Sequence, residues 1–298
     1  MVDITHKSNT LREATAQAIV KVGDQKTIDL INAGQIPKGD VFEMSRAAGL
    51  LGVKKTPDLL PDCHPLPIEF TGIEYQIDGL EITILMTVKT IYKTGVEVEA
   101  MHGASIVALN MYDMLKPVDK NVEISTIKLL KKTGGKSSFN QPTKDLTCRV
   151  VVCSDSVSKG EKEDKSGKLI ESRMNEYGFQ TSLTVIPDEK ASIEKEVNNQ
   201  ETDLLIFTGG TGAGPRDVTP DTIRPMLDTT LHGVEEEMRR YGQERLPTAM
   251  LSRSVAGIKN NKIILAFPGS RGGVMDCMNA IFPHLFHVFH VLKGGGHG

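Results

Sequence analysis

The sequence predicts two domains of different fold class, an α+β sandwich followed by an α/β domain with a doubly wound parallel sheet. The first observation is length, because 298 residues exceed one average domain and fit two. The second is that helix signals precede a meander of alternating apolar and polar residues in the first half. The third is that apolar runs alternate with helical stretches in the second half, which is typical of parallel sheets.

Capping signals predict the helices of the first half. Thr10 and Glu13 have capping-box spacing ahead of "LREATAQAIVKVG", and Asp40 and Glu43 repeat that spacing ahead of "VFEMSRAAGLLG". A third, longer helix is predicted from Val96 to about Leu115. The first half therefore begins with two helices and carries another further along.

Alternation predicts the strands of the first half. The segment from Ile68 to Tyr92 alternates apolar and polar residues on both sides of Asp78-Gly79, which is a signal for a two-residue hairpin turn. The later stretch "VEISTIKLLKKTGGKS" predicts another strand that runs into a loop. Together with the helices, this meander predicts an α+β sandwich.

A polar segment from Lys136 to Asp145, "KSSFNQPTKD", is the predicted linker. It separates a domain over residues 1–140 from a domain over residues 146–298. The second domain begins with "TCRVVVCSD", a near-continuous apolar run of the kind expected for a buried parallel strand. A helix is predicted from Lys168 to Tyr177, and further predicted strands alternate with helices: "SLTVIPDE", "DLLIFTGG" and "KIILAFPG".

Polar and glycine-rich groups follow the predicted strands of the second domain. These groups are Ser154-Asp155, Asp188, the loop "FTGGTGAGPRDVTP" from Phe207 to Pro220, and "PGSRGG". Ligands bind outside the carboxyl ends of such strands, so we expect these groups to face one crevice. The glycine-rich loop has neither the lysine and hydroxyl of a P-loop nor dinucleotide-binding spacing. It is predicted to be a phosphate-binding loop of a third kind.

Composition excludes several classes of protein. The chain has 35 basic and 38 acidic residues, a formal net charge of −3, so neither nucleic acid nor an anionic membrane is an expected partner. It contains no apolar run long enough for a membrane span or typical of a signal peptide. The cysteines are scattered without C-x-x-C spacing: Cys63, Cys148, Cys153 and Cys277. We therefore expect a cytoplasmic protein with no structural metal.

Simple interpretations are available for the charged residues of the first domain. Asp113 and Lys116 lie three apart and share a helix face, which on spacing alone indicates a surface ion pair. Glu97 and Glu99 fit a solvated first helical turn that is favoured by the helix dipole. An isolated His64 between proline-rich turns fits a structural role.

Taken together, "KGDVF", "CHPL", "TGVEVEA" and "YDMLK", in that order, resemble the MoaC-type cyclic pyranopterin monophosphate synthases of molybdenum cofactor synthesis. The resemblance extends from "MVDITHK" to "LLKKTGGKS" and implies a ferredoxin-like antiparallel sheet with helices. It implies conversion of (8S)-3',8-cyclo-7,8-dihydroguanosine 5'-triphosphate to cyclic pyranopterin monophosphate, with release of diphosphate.

The resemblance also implies roles for individual residues. The catalytic positions are Lys38, His64, Asp113 and Lys116. The substrate-binding positions are Asp3, Cys63, Glu97, Val98 and Glu99. These residue types suit the reaction, because closing a cyclic phosphate needs proton transfer at a ribose hydroxyl and positive charge for the departing diphosphate. A desolvated lysine, whose pKa falls toward neutrality, can move such a proton. Two neighbours depart from the family pattern, Asp62 and His102.

In the second domain, "SDSVSKG", "VIPDE", "GGTGAGPRDVTP", "LSRSVAGI" and "FPGS" resemble the MoaB/MogA family. The resemblance covers roughly Cys148 to Lys293 and implies a MogA-like fold that binds molybdopterin. Enzymes of this family transfer AMP from Mg-ATP to the terminal phosphate of molybdopterin. The cofactors implied for this domain are therefore Mg²⁺ and ATP.

Site residues follow from this second resemblance. Asp188 and Asp217 match two functional aspartates and are expected to act in catalysis and to hold Mg²⁺. The implied ligand-binding residues are Gly209, Gly210, Thr211, Gly212 and Ser270. Two alternatives stay open. Asp217 can instead cap the helix near Pro220, and the whole domain can be a non-catalytic molybdopterin-binding or oligomerisation module.

The resemblances also imply partners. The expected small molecules are pterin and nucleotide substrates. Both families form closed oligomers, so we expect a homo-oligomer, either a hexamer or a trimer of dimers. Sites of the MoaC type are built across a subunit interface, which implies that the first reaction needs more than one copy of the chain.

Overall fold

The computed structural model describes residues 1–135, 143–199 and 201–295. The chain divides into two compact units, Met1–Ser138 and Phe139–Gly298. The domain ends predicted at residues 140 and 146 stay predictions. Residues 136–142 of the predicted linker lie outside the described residues.

In the described part of the chain, the first unit combines a four-stranded antiparallel sheet with three helices. Its strands are β1 (Thr10–Lys21), β2 (Phe70–Asp78), β3 (Glu81–Tyr92) and β4 (Glu123–Thr133). Its helices are α1 (Gln25–Asn32), α2 (Val41–Leu59) and α3 (Glu97–Leu115). The strand order is β2-β3-β1-β4, with helices after β1 and after β3, which is the predicted ferredoxin-like arrangement.

The segment Thr10–Lys21 is a strand, so the helix predicted over it is wrong. Its alternate residues Ala14, Ala16, Ala18 and Val20 are buried. A period of two places these side chains on one face of a sheet. Because β1 pairs with β3 on one edge and with β4 on the other, strand pairing along its whole length outweighs the helix propensity of its alanines.

The predictions of the Asp40 cap, of the hairpin and of the long third helix are confirmed in this unit. The Asp40 carboxylate caps α2 by accepting a hydrogen bond of 2.9 Å from the Glu43 N–H. The hairpin joins β2 to β3, and its turn lies at Gly79 and Leu80, one residue later than predicted. Gly79 has φ +55°, a conformation that glycine adopts without strain.

Helix α3 is held firmly because α2 packs closely against it. A Cβ atom at Gly49 of α2 would lie 2.4 Å from Val107 Cγ2, and one at Gly103 of α3 would lie 2.4 Å from Val53 Cγ2. The two glycines therefore permit an approach that no larger residue allows. The buried core of this unit includes the inward faces of α3 and the sheet, so both ends of α3 have defined positions.

The second unit is built on a mixed, mostly parallel sheet with helices on both sides. Its strands are β5 (Thr147–Cys153), β6 (Gln180–Ile186), β7 (Leu204–Thr208), β8 (Thr229–Thr230), β9 (Val255–Lys259) and β10 (Lys262–Phe267). Its helices are α4 (Asp155–Ser158), α5 (Ser166–Glu176), α6 (Lys190–Asn198), α7 (Thr219–Ile223), α8 (His232–Gln243), α9 (Arg271–Ile281) and α10 (His287–Leu292). Across the residues described, neither unit has a helix that is both long and apolar enough to cross a membrane.

The strand order β6-β5-β7-β10-β9-β8 confirms the doubly wound sheet and adds an antiparallel edge. The first four strands are parallel, whereas β9 and β8 run antiparallel to their neighbours. The tight turn between β9 and β10 explains why β9 runs antiparallel to β10. Asn260 and Asn261 have φ +49° and +61°, the conformation of a tight hairpin turn in which asparagine is favoured.

The connections of the sheet create a switch point in the strand order. The chain leaves β5 for the edge strand β6 and then returns to β7 on the other side of β5. The order therefore reverses between β5 and β7. In open α/β sheets such a switch point is where the carboxyl ends of strands border a crevice.

Candidate functional site

Asp113 lies between two lysine ammonium groups at the carboxyl end of α3. Its Oδ2 is 2.6 Å from Lys38 Nζ, and its Oδ1 is 2.6 Å from Lys116 Nζ. Lys38 Nζ also donates a hydrogen bond of 2.9 Å to the Asp113 backbone carbonyl. The structure thus brings together three of the four residues expected to be catalytic in the first unit. A second lysine from a distant segment distinguishes this cluster from an isolated pair on a helix surface.

Local structure explains how these charges meet. Asp113 is in the last turn of α3 and Lys116 directly follows the helix, where backbone carbonyls lack helical partners and the dipole favours cations. Lys38 lies in the turn that precedes α2, beside Gly39 with φ +100°. Two cations therefore lie at the negative end of one helix.

The lysines set the charge state of the cluster. Hydrogen bonds from the two lysines lower the pKa of Asp113 to about 2, and the bond from Lys116 has the larger effect. The contact with Asp113 in turn raises the pKa of Lys116. In one chain, Asp113 is therefore a carboxylate and Lys116 an ammonium at neutral pH. The lysine pKa moves away from neutrality, opposite to the shift that desolvation alone causes.

A buried carboxyl and a thiol form a pair at the amino end of α3. Cys63 Sγ donates to Glu99 Oε1 over 3.1 Å, and Glu99 is 1% exposed. Burial raises the pKa of the Glu99 carboxyl. The pKa of the Cys63 thiol is raised to about 12, mainly by burial and further by the contact with Glu99. Val98 beside them is exposed, and Glu97 forms an ion pair of 3.4 Å with Lys132. The solvated-turn interpretation is therefore wrong for Glu99.

Two further predicted residues lie in loops next to Cys63. His64 Nε2 is 2.8 Å from the Val2 backbone oxygen. Asp3, the next residue, accepts hydrogen bonds from the Thr5 hydroxyl and N–H at 2.7 and 2.8 Å, which lower the pKa of its carboxyl. The contact between His64 and Val2 holds the segment of Asp3 near the Cys63 loop.

The two departures from the family pattern have structural partners. Asp62 Oδ1 lies 2.9 Å from the Met1 amino group. His102 Nδ1 lies 3.0 Å from Thr56 Oγ1, which joins α3 to α2. Both contacts hold segments that carry or adjoin the predicted substrate-binding residues.

The two groups of predicted residues are not brought together within one chain. Glu99 and Asp113 are fourteen residues apart on the single helix α3. At about 1.5 Å rise per residue, their backbones are about 21 Å apart. Lys38 and Lys116 accompany Asp113, whereas Cys63 accompanies Glu99. One chain therefore carries two separate halves of the predicted site.

A cavity of about 780 Å³ lies at the carboxyl ends of the parallel strands in the second unit. Residues that follow four different strands line it: Ser154, Asp188, Gly209, Gly210, Gly269 and Ser270. The predicted crevice is thus present at the switch point of the sheet. Thr211, Gly212 and Asp217, which were predicted with them, lie beyond this lining in the same loop.

Asp155 and Asp188 connect two of these strand ends. The Asp155 N–H donates to Asp188 Oδ2 over 3.0 Å, and the Asp188 N–H donates to Asp155 Oδ1 over 3.1 Å. Asp188 Oδ1 is buried and has no hydrogen-bond partner among the residues described. Burial raises the pKa of this carboxyl. A buried carboxylate oxygen without a donor is a position that a cation or a ligand donor can satisfy.

Gly209 and Gly210 let the loop turn tightly at the cavity. Their φ angles are +103° and +61°. A Cβ at Gly209 would lie 2.2 Å from the Cys153 backbone oxygen, and one at Gly210 would lie 2.4 Å from Thr219 Oγ1. Both positions therefore need glycine for conformation and for space.

Arg253 clamps the remainder of the loop. Its Nε donates to the Gly212 carbonyl over 2.8 Å, its Nη2 donates to the Asp217 carbonyl, and its Nη1 lies 2.7 Å from an Asp221 oxygen. The Arg253 N–H also donates to the Thr211 carbonyl over 2.9 Å. Arg253 lies within the motif "LSRSVAGI" and is not among the predicted site residues. The signal was an arginine within a motif that otherwise offers only serines and small apolar residues.

Asp217 does not act as a helix cap. Its Oδ2 accepts a hydrogen bond of 2.8 Å from the Gly214 N–H within the loop. Helix α7 begins at Thr219 and has no side-chain cap, so the capping interpretation is wrong. Burial is the main cause that raises the pKa of Asp188, and the negative charge of Asp217 acts in the same direction with a smaller effect.

Ser270 is the residue before α9, an eleven-residue helix whose first turn borders the cavity. Its Oγ accepts a hydrogen bond of 3.1 Å from the Gly273 N–H. The amino end of a helix favours negative charge. The predicted ligand residue thus has a capping contact of its own and lies at a cavity wall suited to anions.

The carboxylates fit a magnesium ion. Asp188 and Asp217 are the residues that would hold it, and Asp188 Oδ1 is a hard oxygen without a donor. No group of three or more His, Cys, Asp or Glu residues within 1–135, 143–199 and 201–295 is arranged to hold a metal. The other ligands would come from substrate phosphates and water, as is typical for Mg²⁺.

The chain matches known families along both units. Residues 1–135 match the MoaC family, and residues 149–287 match a family described as a probable molybdopterin binding domain. A molybdenum cofactor biosynthesis bifunctional protein of Chlorobaculum tepidum is 39% identical over 301 residues, which cover 100% of this chain and 96% of the relative.

Other similarities cover one half of the chain each. A cyclic pyranopterin monophosphate synthase of Clostridium perfringens is 49% identical over 143 residues, covering 47% of this chain and 90% of the relative. A solved structure of MogA is 31% identical, with a TM-score of 0.47, and the match covers 49% of this chain and 99% of that one.

Proposed function

The chain belongs to the family of molybdenum cofactor biosynthesis bifunctional proteins, and on that premise we propose that its first unit is a cyclic pyranopterin monophosphate synthase. Its substrate is (8S)-3',8-cyclo-7,8-dihydroguanosine 5'-triphosphate, and its products are cyclic pyranopterin monophosphate and diphosphate. The observation that carries this proposal is the cluster in which Lys38 and Lys116 both contact Asp113 at 2.6 Å.

The charges of this cluster suit cyclic phosphate formation. A ribose hydroxyl attacks the α-phosphorus, the bond to the diphosphate breaks, and the hydroxyl proton leaves. Lys38 and Lys116 supply positive charge for the departing diphosphate. A triphosphate also competes with Asp113 for these lysines, and loss of either contact raises the carboxyl pKa from about 2. Asp113 then becomes a better acceptor for the hydroxyl proton.

The separation along α3 supports a site shared between copies of the chain. The backbones of Glu99 and Asp113 lie about 21 Å apart along α3, at a rise of about 1.5 Å per residue. For both groups to contact one substrate, the Glu99 end of one copy must meet the Asp113 end of another. We therefore propose a homo-oligomer in which two copies complete each site.

An activity assay tests this first function. Purified chain is incubated with the cyclised dihydroguanosine triphosphate, and release of diphosphate is measured beside formation of the cyclic phosphate. Light scattering gives the oligomeric state of the same sample. Full activity in a monomer would contradict the shared site, and absence of diphosphate release at any protein concentration would contradict the proposed reaction.

We further propose that the second unit binds molybdopterin and transfers AMP to its terminal phosphate from Mg-ATP. An oxygen of that phosphate attacks the α-phosphorus of ATP, the bond from the α-phosphorus to the diphosphate breaks, and diphosphate is released. The observation that carries this is the buried Asp188 Oδ1 with no partner among the described residues, beside a cavity of about 780 Å³. Bound Mg²⁺ would neutralise phosphate charge. The amides of Gly209 and Gly210 would approach phosphate oxygens closely, and Asp217 would orient the cation together with Asp188.

A binding module without catalysis is the competing function for this unit. A carrier has no need of a buried carboxylate oxygen that lacks a donor, because such an atom lowers stability unless a ligand satisfies it. An AMP-transfer assay with residues 146–298, run with a molybdopterin-binding titration, separates the two functions. If molybdopterin binds but no AMP is transferred at any Mg²⁺ concentration, the binding-module function replaces the catalytic one.

A further inference from the structure

An ion pair joins the glycine-rich loop to the first strand end of the cavity. Arg216, in the loop, donates from Nη2 to Asp155 Oδ2 over 2.6 Å, and the two residues are 61 positions apart. Their side chains are 64% and 36% exposed. The proposed reaction assigns no role to either residue.

Arg216 can exchange its partner in this ion pair at little cost in stability. Ion pairs exposed to water contribute little to stability, because solvent already screens both charges. A guanidinium group binds phosphate oxygens at least as well as it binds a carboxylate, since its planar fork can donate two parallel hydrogen bonds. An arriving polyphosphate can therefore replace Asp155 as the partner of Arg216 at small cost.

The pair also lies where phosphates would bind. Asp155 and Asp188, the proposed magnesium ligand, exchange two hydrogen bonds, each from a backbone N–H to the other residue's carboxylate. Asp155 joins Arg216 to Asp188, since its Oδ2 accepts from Arg216 and its Oδ1 accepts from the Asp188 N–H. A triphosphate on a cation at Asp188 would thus come within the range of the Arg216 side chain, which is long and exposed.

We propose that Arg216 binds the triphosphate of the nucleotide and that Asp155 holds this arginine until the ligand arrives. The inference rests on the proposed function of the second unit, because it takes ATP as the ligand. Asp155 then competes with phosphate for Arg216. Removing the arginine weakens binding, whereas removing the carboxylate strengthens it.

Calorimetric titration of the full chain with ATP and Mg²⁺, in the absence of molybdopterin, tests this opposition without AMP transfer. Gly210→Val should abolish ATP binding in the second unit. The part of the binding signal that is lost in this variant is therefore assigned to the second unit. Arg216→Gln is expected to weaken this binding about tenfold, through lost charge-assisted hydrogen bonds. Asp155→Asn, which keeps an oxygen for the Asp188 N–H, is expected to strengthen it about two- to fivefold.

Two further variants sharpen the result. The double variant should bind as weakly as Arg216→Gln alone, because Asp155 then has no arginine to hold. Arg240→Gln is the matched control, since it removes the same charge from another exposed arginine, one paired with Glu237 at 2.8 Å on α8. Its affinity should equal that of the parent.

Each outcome decides between the two proposals. Unchanged affinity in Arg216→Gln, or weaker binding in Asp155→Asn, overturns the exchange of partners while leaving the unit a nucleotide-binding one. A loss in Arg240→Gln equal to that in Arg216→Gln also overturns it, because net charge alone then explains the effect. If the parent binds no ATP with or without Mg²⁺, the proposed AMP transfer fails and the inference fails with it.

Discussion

Lys38 Nζ lies 2.6 Å from Asp113 Oδ2, although the two residues are 75 positions apart in the sequence. This contact adds a second cation to the pair that Asp113 already forms with Lys116 three residues later. A carboxylate shared by two lysines leaves net positive charge at one end of α3, where a triphosphate can be received. Three predictions concern this unit.

The first prediction concerns the lysines. Lys38→Ala and Lys116→Ala should each lower formation of cyclic pyranopterin monophosphate by about 10²-fold or more, because each removes a charge that acts in the transition state. Circular dichroism should not change. The matched control is Lys55→Ala, which breaks an exposed pair of 2.9 Å with Asp58, also three residues apart. Equal turnover in Lys116→Ala and this control would reduce the cluster to a surface ion pair.

The second prediction concerns the Asp113 carboxyl, whose pKa is about 2. Because the folded-state pKa lies below the unfolded one, the stability that this cluster contributes is present above about pH 4. It is lost as the pH falls toward 2. Lys116→Ala or Lys38→Ala should raise the pKa. NMR titration of the carboxyl carbon measures it, and a parent pKa near the ordinary value of 3.8 would contradict the cluster.

The third prediction concerns Glu99, whose pKa is raised by burial. Between the unfolded pKa, about 4.3, and the higher folded one, the folded state binds more protons, so stability falls as pH rises through this window. Glu99→Gln keeps the shape but cannot ionise, and it should flatten this slope in urea denaturation. Glu97→Gln, two residues earlier and only half-buried, should retain it. Parallel slopes for the parent and Glu99→Gln would show that the carboxyl is not desolvated.

The fourth prediction separates binding from catalysis in the second unit. Gly210→Val should abolish ligand binding, because its Cβ would lie 2.4 Å from Thr219 Oγ1 and φ is +61°. Asp217→Asn should retain molybdopterin yet eliminate AMP transfer, since an amide is a weaker magnesium ligand than a carboxylate.

Gly294→Val is the control for the conformational strain in this prediction. Gly294 also has a positive φ, +82°, but no atom lies within 4 Å of its Cβ position. The two valine variants should therefore share a strain cost of about 1–2 kcal/mol. Only Gly210→Val should lose the ligand, and equal binding by both would contradict the close approach at the loop.

The fifth prediction is modularity. Residues 1–140 and residues 146–298 should each fold when expressed alone, because each unit has its own buried core. Thermal unfolding of each fragment tests this, and each is expected to unfold in a cooperative transition. The predicted linker from Lys136 to Asp145 should also be accessible to limited proteolysis. Fragments that remain unfolded would count against two independent domains.

The sequence by itself determined both fold classes and the main turns. The Asp40 cap, the hairpin with Gly79 and the glycine-rich loop follow local rules, since capping and positive φ depend on a few neighbouring residues. Buried parallel strands such as β5 are readable because both faces are covered, which makes them continuously apolar. The functional motifs were likewise visible as short segments, before any contact between them was known.

The tertiary structure decided what these segments touch. Thr10–Lys21 became a strand because pairing with β3 and β4 outweighs local helix signals. Glu99 is buried against Cys63, 36 positions away, rather than solvated. Arg216 and Arg253 have hydrogen-bond partners far along the chain, 61 and 41 positions away. Burial and ion pairing depend on the positions of all elements, so no window of neighbouring residues contains the information that sets them.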